Sequence, residues 1–127
     1  MRLFRAFALL ATLATMSVAL AAQGLESRTY QVTMPDGKPI QEGLEVQVDI
    51  RETAPGEFSG HVYFRREGDD WRESPGELTT YWEVMEGVYY WENARGATGV
   101  MAWDANKGQF HSTVLTGRYA GQERALH

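Results

Sequence analysis

The chain has 127 residues, no cysteine and a formal charge of −5, with 43% hydrophobic and 12% aromatic residues. The length suits one small domain with one core, and the absence of thiols excludes disulfide staples, thiol nucleophiles and cysteine metal sites. The acidity argues against partners such as a phosphate backbone or an anionic lipid surface.

The N-terminal stretch "MRLFRAFALLATLATMSVALAAQG" sets Arg2 and Arg5 ahead of a weakly polar to apolar run and ends in Ala19-Leu20-Ala21, a small-x-small cleavage pattern. It reads as a signal peptide over residues 1–21. The run is alanine- and threonine-rich and shorter than the roughly 20 apolar residues of a spanning helix, so cleavage is favoured over a retained anchor. No cysteine follows that would anchor a lipoprotein. Cleavage leaves residues 22–127 as a single β domain without membrane insertion. Removing two of the 12 basic residues leaves ten against 17 acidic ones, a formal charge of −7. A cysteine-free exported domain points to a bacterial periplasm or a secreted bacterial product.

Beyond residue 25 the dominant period is two. Strands are expected near 26–34, 43–52, 57–65, 77–85, 88–94, 99–104 and 109–119, with a short one around Trp71 as an eighth. In "LEVQVDIR", Leu44, Val46, Val48 and Ile50 alternate with Glu45, Gln47, Asp49 and Arg51, giving one dry and one wet face. "FSGHVYFR" follows, with Phe58, Gly60, Val62 and Phe64 on one side and His61 on the polar other side. Turn signals recur at "PDG", "PG", "EGDD", "SPG", "EG", "RGATG" and "NKG", leaving no room for crossovers. Seven or eight short strands so joined form an all-β antiparallel meander, closed as a small up-and-down β-barrel or folded over as a β-sandwich. Closure is preferred because it removes the exposed edges. The terminal "AGQERALH" reads as a loose tail.

The segment "TTYWEVMEGVYYWENARG" places five aromatics in eleven positions. A loop of Met85, Glu86 and Gly87 confines positive φ to the glycine, whereas a Glu86-Gly87 loop would ask it of a glutamate. That register pairs Val84 with Val88 and Trp82 with Tyr90 on one face, and Glu83 with Tyr89 and Tyr81 with Trp91 on the other. The first set is the expected core face. On the second, Tyr81, Tyr89 and Trp91 lie beside Glu83 and Asn93. These five either pack under a loop or inside a snug barrel, or form a ligand surface in which rings stack on the ligand and polar groups orient it. Trp103 extends either set.

Other chemistry is sparse. His61 reads as solvated, His111 as ambiguous in facing and His127 as a mobile terminus, and a metal site would need two to converge. "DANKG" at 104–108 reads as a hairpin turn, since the acidic ligands of a calcium loop are lacking. Glu83 and Glu92 fall on opposite faces, and no nucleophile elbow or phosphate loop occurs. No cofactor is expected, and an enzyme is less expected than a binding protein.

The segments "TVLTGRY" and "GEFSGHVYF" resemble strand segments of streptavidin-type barrels in their small-Gly-aromatic pattern. The resemblance implies a barrel and transfers no site residue. Two functions follow as expectations. The first is an exported module for a small apolar or glycan-like ligand, using Tyr81, Glu83, Tyr89, Trp91 and Asn93. The second is a periplasmic inhibitor or immunity-type protein that binds a protein partner through the acidic loop "REGDDWRESPGE", with Trp71 as anchor beside Asp69 and Asp70.

Overall fold

A computed structural model describes residues 23–127; the expected signal peptide lies outside the described residues. Eight antiparallel strands run in sequence order and close into a barrel. They are β1 (Arg28–Thr33), β2 (Leu44–Ala54), β3 (Glu57–Arg66), β4 (Arg72–Met85), β5 (Val88–Asn93), β6 (Thr98–Asp104), β7 (Gln109–Thr116) and β8 (Glu123–Leu126). Closure, rather than a sandwich, follows from β8. It lies in the segment expected to be a loose tail, yet it pairs Val32 with Leu126 on β1 and Phe110 with Leu126 on β7. The last residue is tied down as well: His127 and Gln31 exchange backbone hydrogen bonds of 3.0 and 2.8 Å.

The inward face follows the alternation expected for β2 and β3. Val48 lies opposite Val62, and Ile50 opposite Gly60. Carried across the ladders, this face continues through Gly60↔Thr79 and Phe58↔Tyr81 into Tyr81↔Trp91 and Glu83↔Tyr89. It then passes through Trp91↔Gly99 and Tyr89↔Met101 to Val114, Ser112 and Phe110. The expected core face of the aromatic hairpin is therefore the outer one. Val84 and Met85 are well exposed, and Trp82 and Tyr90 stack on each other on the outside, 5.9 Å apart at 22°. Tyr81, Tyr89 and Trp91 are buried inside. Trp103 joins the inner set and meets Phe110 edge-on at 5.0 Å.

The hairpin turn also differs by one residue. Glu86 and Gly87 form a two-residue turn, Met85 pairs with Val88, and the extra residue sits as a bulge between Glu83 and Met85. Positive φ still falls on glycine alone, at 74° for Gly87, so the bulge absorbs the register change and the remaining pairs stand as expected. A larger irregularity interrupts β4, where His61 pairs with Leu78 but Tyr63 with Glu73. The residues between, including the "SPG" expected as a turn, form an excursion inside one long strand instead of a break before a separate strand at Trp71.

Candidate functional site

The two ends of the barrel differ. At the end formed by the β2–β3, β4–β5 and β6–β7 turns, Tyr30, Phe58, Tyr89, Trp103 and Phe110 interlock. Tyr89 meets Phe58 at 6.0 Å and Phe110 at 6.1 Å, and Tyr30 meets Phe110 at 6.0 Å, all edge-on. Such T-shaped pairs each add about 0.5 to 1.5 kcal/mol beyond burial. Leu25, just before β1, is buried against them and closes this end. The backbone N–H of Leu25 donates to the Tyr89 hydroxyl at 2.8 Å, and that hydroxyl donates to Glu83 Oε2 at 3.0 Å. Glu26 N–H donates to the Tyr30 hydroxyl at 2.9 Å. Tyr89 and Glu83 thus latch the N-terminal segment under the barrel.

The opposite end is open. An inner pocket of about 190 Å³ is lined by Val32, Val46, Val48, Val62, Met101, Val114 and Leu126, with Tyr81, Trp91, Thr79 and Ser112 among them. Above it a mouth of about 600 Å³ is bounded by Ile40, Leu44, Phe64, Ser74, Glu77, Asn93, Tyr119, Gln122 and Arg124. Several residues, Val62 and Arg124 among them, line both, so the two spaces are continuous. Trp91 lies along β6 because Gly99 opposite it has no side chain, and its indole N–H donates to Ser112 Oγ at 2.9 Å. The excursion in β4 brings Ser74 and Glu77 to the mouth, a rim position where bulges commonly re-aim side chains.

The five hairpin residues singled out from sequence therefore separate. Tyr81, Trp91 and Asn93 line the open cavity; Glu83 and Tyr89 serve the closed end. Asn93 is also engaged structurally, since its Oδ1 accepts from the backbone N–H of Arg95 at 3.0 Å and of Ala97 at 2.9 Å, shaping the β5–β6 turn. Glu77, Thr79, Ser112 and Arg124 were missed. Thr79 and Ser112 carry a signal in retrospect, sitting in phase with Tyr81 and with Phe110 and Val114 on their strands. Arg124 carries none while its segment reads as a tail.

The loop set is arranged differently. Asp69 and Asp70 are exposed on a shallow cleft shared with Arg65, Arg66 and Arg72, so the acidic loop is locally offset by three cations. Trp71 is half-buried, with the Arg65 guanidinium 4.3 Å above its ring. The histidines lie apart on the outside: His61 Nδ1 faces Glu73 at 3.2 Å and His111 Nε2 faces Glu123 at 3.0 Å. His127 Nε2 lies 3.0 Å from Thr33 Oγ1. Asp104 Oδ1 accepts from the Asn106 and Lys107 amides, as its turn requires.

Burial raises the Tyr81 phenol well above its ordinary value. The Tyr89 phenol is pushed up to about 12, first by burial and then by the Glu83 carboxylate, against the opposing Leu25 hydrogen bond. Unfolded tyrosines ionise near pH ~10. Above that pH the native state holds protons that the unfolded state has released, so stability is fully present below it and falls as pH rises toward 12. In an alkaline titration, the phenolate absorbance of these two residues should appear together with loss of the circular dichroism signal. Tyr81→Phe should move that loss to higher pH, and an unchanged profile would exclude Tyr81 as a contributor.

Comparison with protein-family models, characterised proteins and solved structures gives no match. Fold and site together define an up-and-down barrel plugged at one end and hollow at the other.

Proposed function

We propose that the protein is an exported, non-catalytic binding protein that holds a small, mainly apolar ligand in the open end of its barrel. The asymmetry of the interior carries this reading. One half is packed solid with rings, and the other half is a cavity walled by valines, Met101, Tyr81 and Trp91. Barrels of this strand number either fill their interior with side chains or hold one small ligand. The depth of the pocket favours an apolar over a glycan-like ligand. The hydroxyls there belong to Thr79, Tyr81 and Ser112; Tyr81 and Thr79 bond to each other, and Ser112 already accepts from Trp91.

The distribution of polarity supports a water-facing molecule. Glu45, Gln47, Asp49 and Arg51 point outward from β2 while its apolar residues point inward, the reverse of a membrane-spanning barrel. The N-terminal sequence supports export. A protein partner gripped by Trp71 is the weaker alternative, because Arg65 covers that ring.

Val62 lines both the pocket and the mouth, so Val62→Phe should fill the passage. Titration with short alkyl and aryl compounds, followed by tryptophan fluorescence, is expected to show saturable binding in the native protein and at least about tenfold weaker binding in Val62→Phe, with melting temperatures compared as a control for folding. A panel without any saturable response in the native protein would overturn the cavity as a binding site.

A further inference from the structure

The lining of the open end is apolar except for a few groups, and its two charged side chains are not paired with each other. Glu77 and Arg124 are the charged side chains common to the pocket and its mouth. Glu77 is engaged from the rim by Arg95, with Arg95 Nη1 3.7 Å from Glu77 Oε1. Among the described residues, no carboxylate forms an ion pair with Arg124. Its guanidinium donates to the Gln122 amide oxygen, to the Glu123 backbone carbonyl at 2.9 Å and to the Met34 sulfur at 3.7 Å. These are neutral acceptors, one of them weak, and they occupy at most three of the five N–H bonds a guanidinium presents. The neighbouring acid, Glu123, points outward to His111. The half-buried side chain of Arg124 is thus a cation at the lip of an apolar pocket, in a molecule whose overall charge is negative. Its pKa is lowered, first by burial, with the neighbouring Tyr119 phenol acting in the opposite direction.

We infer that the open end takes small amphiphiles with a carboxylate head, the head pairing with Arg124 at the lip and the apolar body lying against Val62, Val114, Tyr81 and Trp91. This rests on the cavity being a binding site and adds the ligand's head group. The planar fork of arginine matches a carboxylate in a two-bond geometry, and such charge-assisted pairs are stronger than neutral ones. The inner pocket, at about 190 Å³, lies below the ~300 to 1,000 Å³ of drug-sized sites. It suits a single ring or a short chain, with the mouth left for the head. Ser74, Asn93 and Gln122 at the mouth add neutral polar neighbours and no further charge.

Octanoate, octanol and octylamine share one body and differ in the head, so their affinities for the full chain separate head from cavity. Octanoate is expected to bind at least about tenfold more tightly than octanol, and octylamine most weakly. The octanoate preference should shrink as salt is raised. Arg124→Gln should bring the octanoate-to-octanol ratio to within about twofold, and Arg124→Lys should retain part of it. Equal binding of octanoate and octanol by the native protein would overturn the head-group assignment and leave the cavity reading standing. Absence of binding by all three would overturn both. The comparison of heads on the native protein depends on no variant, so poor folding of Arg124→Gln would not blunt it.

Discussion

Replacing Gly99 with alanine is expected to destabilise the barrel by about 3 kcal/mol, the upper range for overpacking a close-packed interior. Gly99 sits on β6 between Trp91 of β5 and Val114 of β7. A β-carbon there would fall onto the six-membered ring of Trp91 and lie 2.5 Å from the backbone carbonyl oxygen of Thr113. Neither obstacle can step aside cheaply. The indole is held by its hydrogen bond to Ser112 at 2.9 Å, and the carbonyl belongs to a β7 residue paired within the sheet. Gly60→Ala is the informative contrast. Its β-carbon would meet Val48 Cγ2 at 2.8 Å and Tyr81 Cε2 at 3.0 Å, side-chain atoms that can shift, so a loss of about 1 kcal/mol is expected. Urea unfolding midpoints measure both, and a Gly99→Ala protein within about 0.5 kcal/mol of the parent would show that the β5–β7 layer is looser than these distances imply. The substitution also bears on binding, because the missing side chain lets Trp91 form part of the pocket wall. Any Gly99→Ala protein that folds should bind short-chain ligands less well.

The faces of the aromatic hairpin illustrate what one segment can and cannot reveal. Pairing of Tyr81 with Trp91 and of Trp82 with Tyr90 was legible, because glycine at position 87 limits the turns available. Which face turns inward was not, because both carry rings and amphipathicity is silent. The deciding information lies on the neighbouring strands. The inner face meets Gly60 and Gly99, small residues that make room for large ones, whereas the outer face meets Glu57, whose carboxylate accepts from the Trp82 indole at 3.0 Å. Sharing a face is also different from sharing a place. With ~3.3 Å per residue, Glu83 lies about 13 Å along the strand from Thr79, so one inner stripe runs from the plugged end to the pocket. That distance is why the five hairpin residues divide between a latch and a cavity. β2 and β3 were legible because they alternate cleanly. β8 was not, because its polarity is reversed at two positions: Arg124 points inward, and Ala125, on the outward alternation, is fully covered.

Ending the chain at Gln122 should have the largest effect of all, abolishing cooperative folding at ordinary temperatures. The cut removes Leu126, whose burial is worth about 1.5 to 3 kcal/mol. It also removes the hydrogen-bonded ladders from β8 to β1 and β7, each bond worth about 1 kcal/mol net. Together these losses reach the lower range of a small domain's whole stability, about 5 kcal/mol. The cut leaves β1 and β7 as open edges with unpaired amides, so the expected product is an aggregating chain in place of a weakened monomer. Leu126→Ala separates the two contributions. It keeps the ladders while creating a cavity, should cost about 3 kcal/mol, and should remain monomeric. Amide exchange reports the closure directly: the Gln31 amide, which donates to the His127 carbonyl at 2.8 Å, should be protected in the full chain and in Leu126→Ala. A truncated protein that stays monomeric, with a melting temperature only a few degrees below the parent, would mean that β1 and β7 hold the barrel without closure. In that case β8 would serve chiefly to carry Arg124 to the mouth.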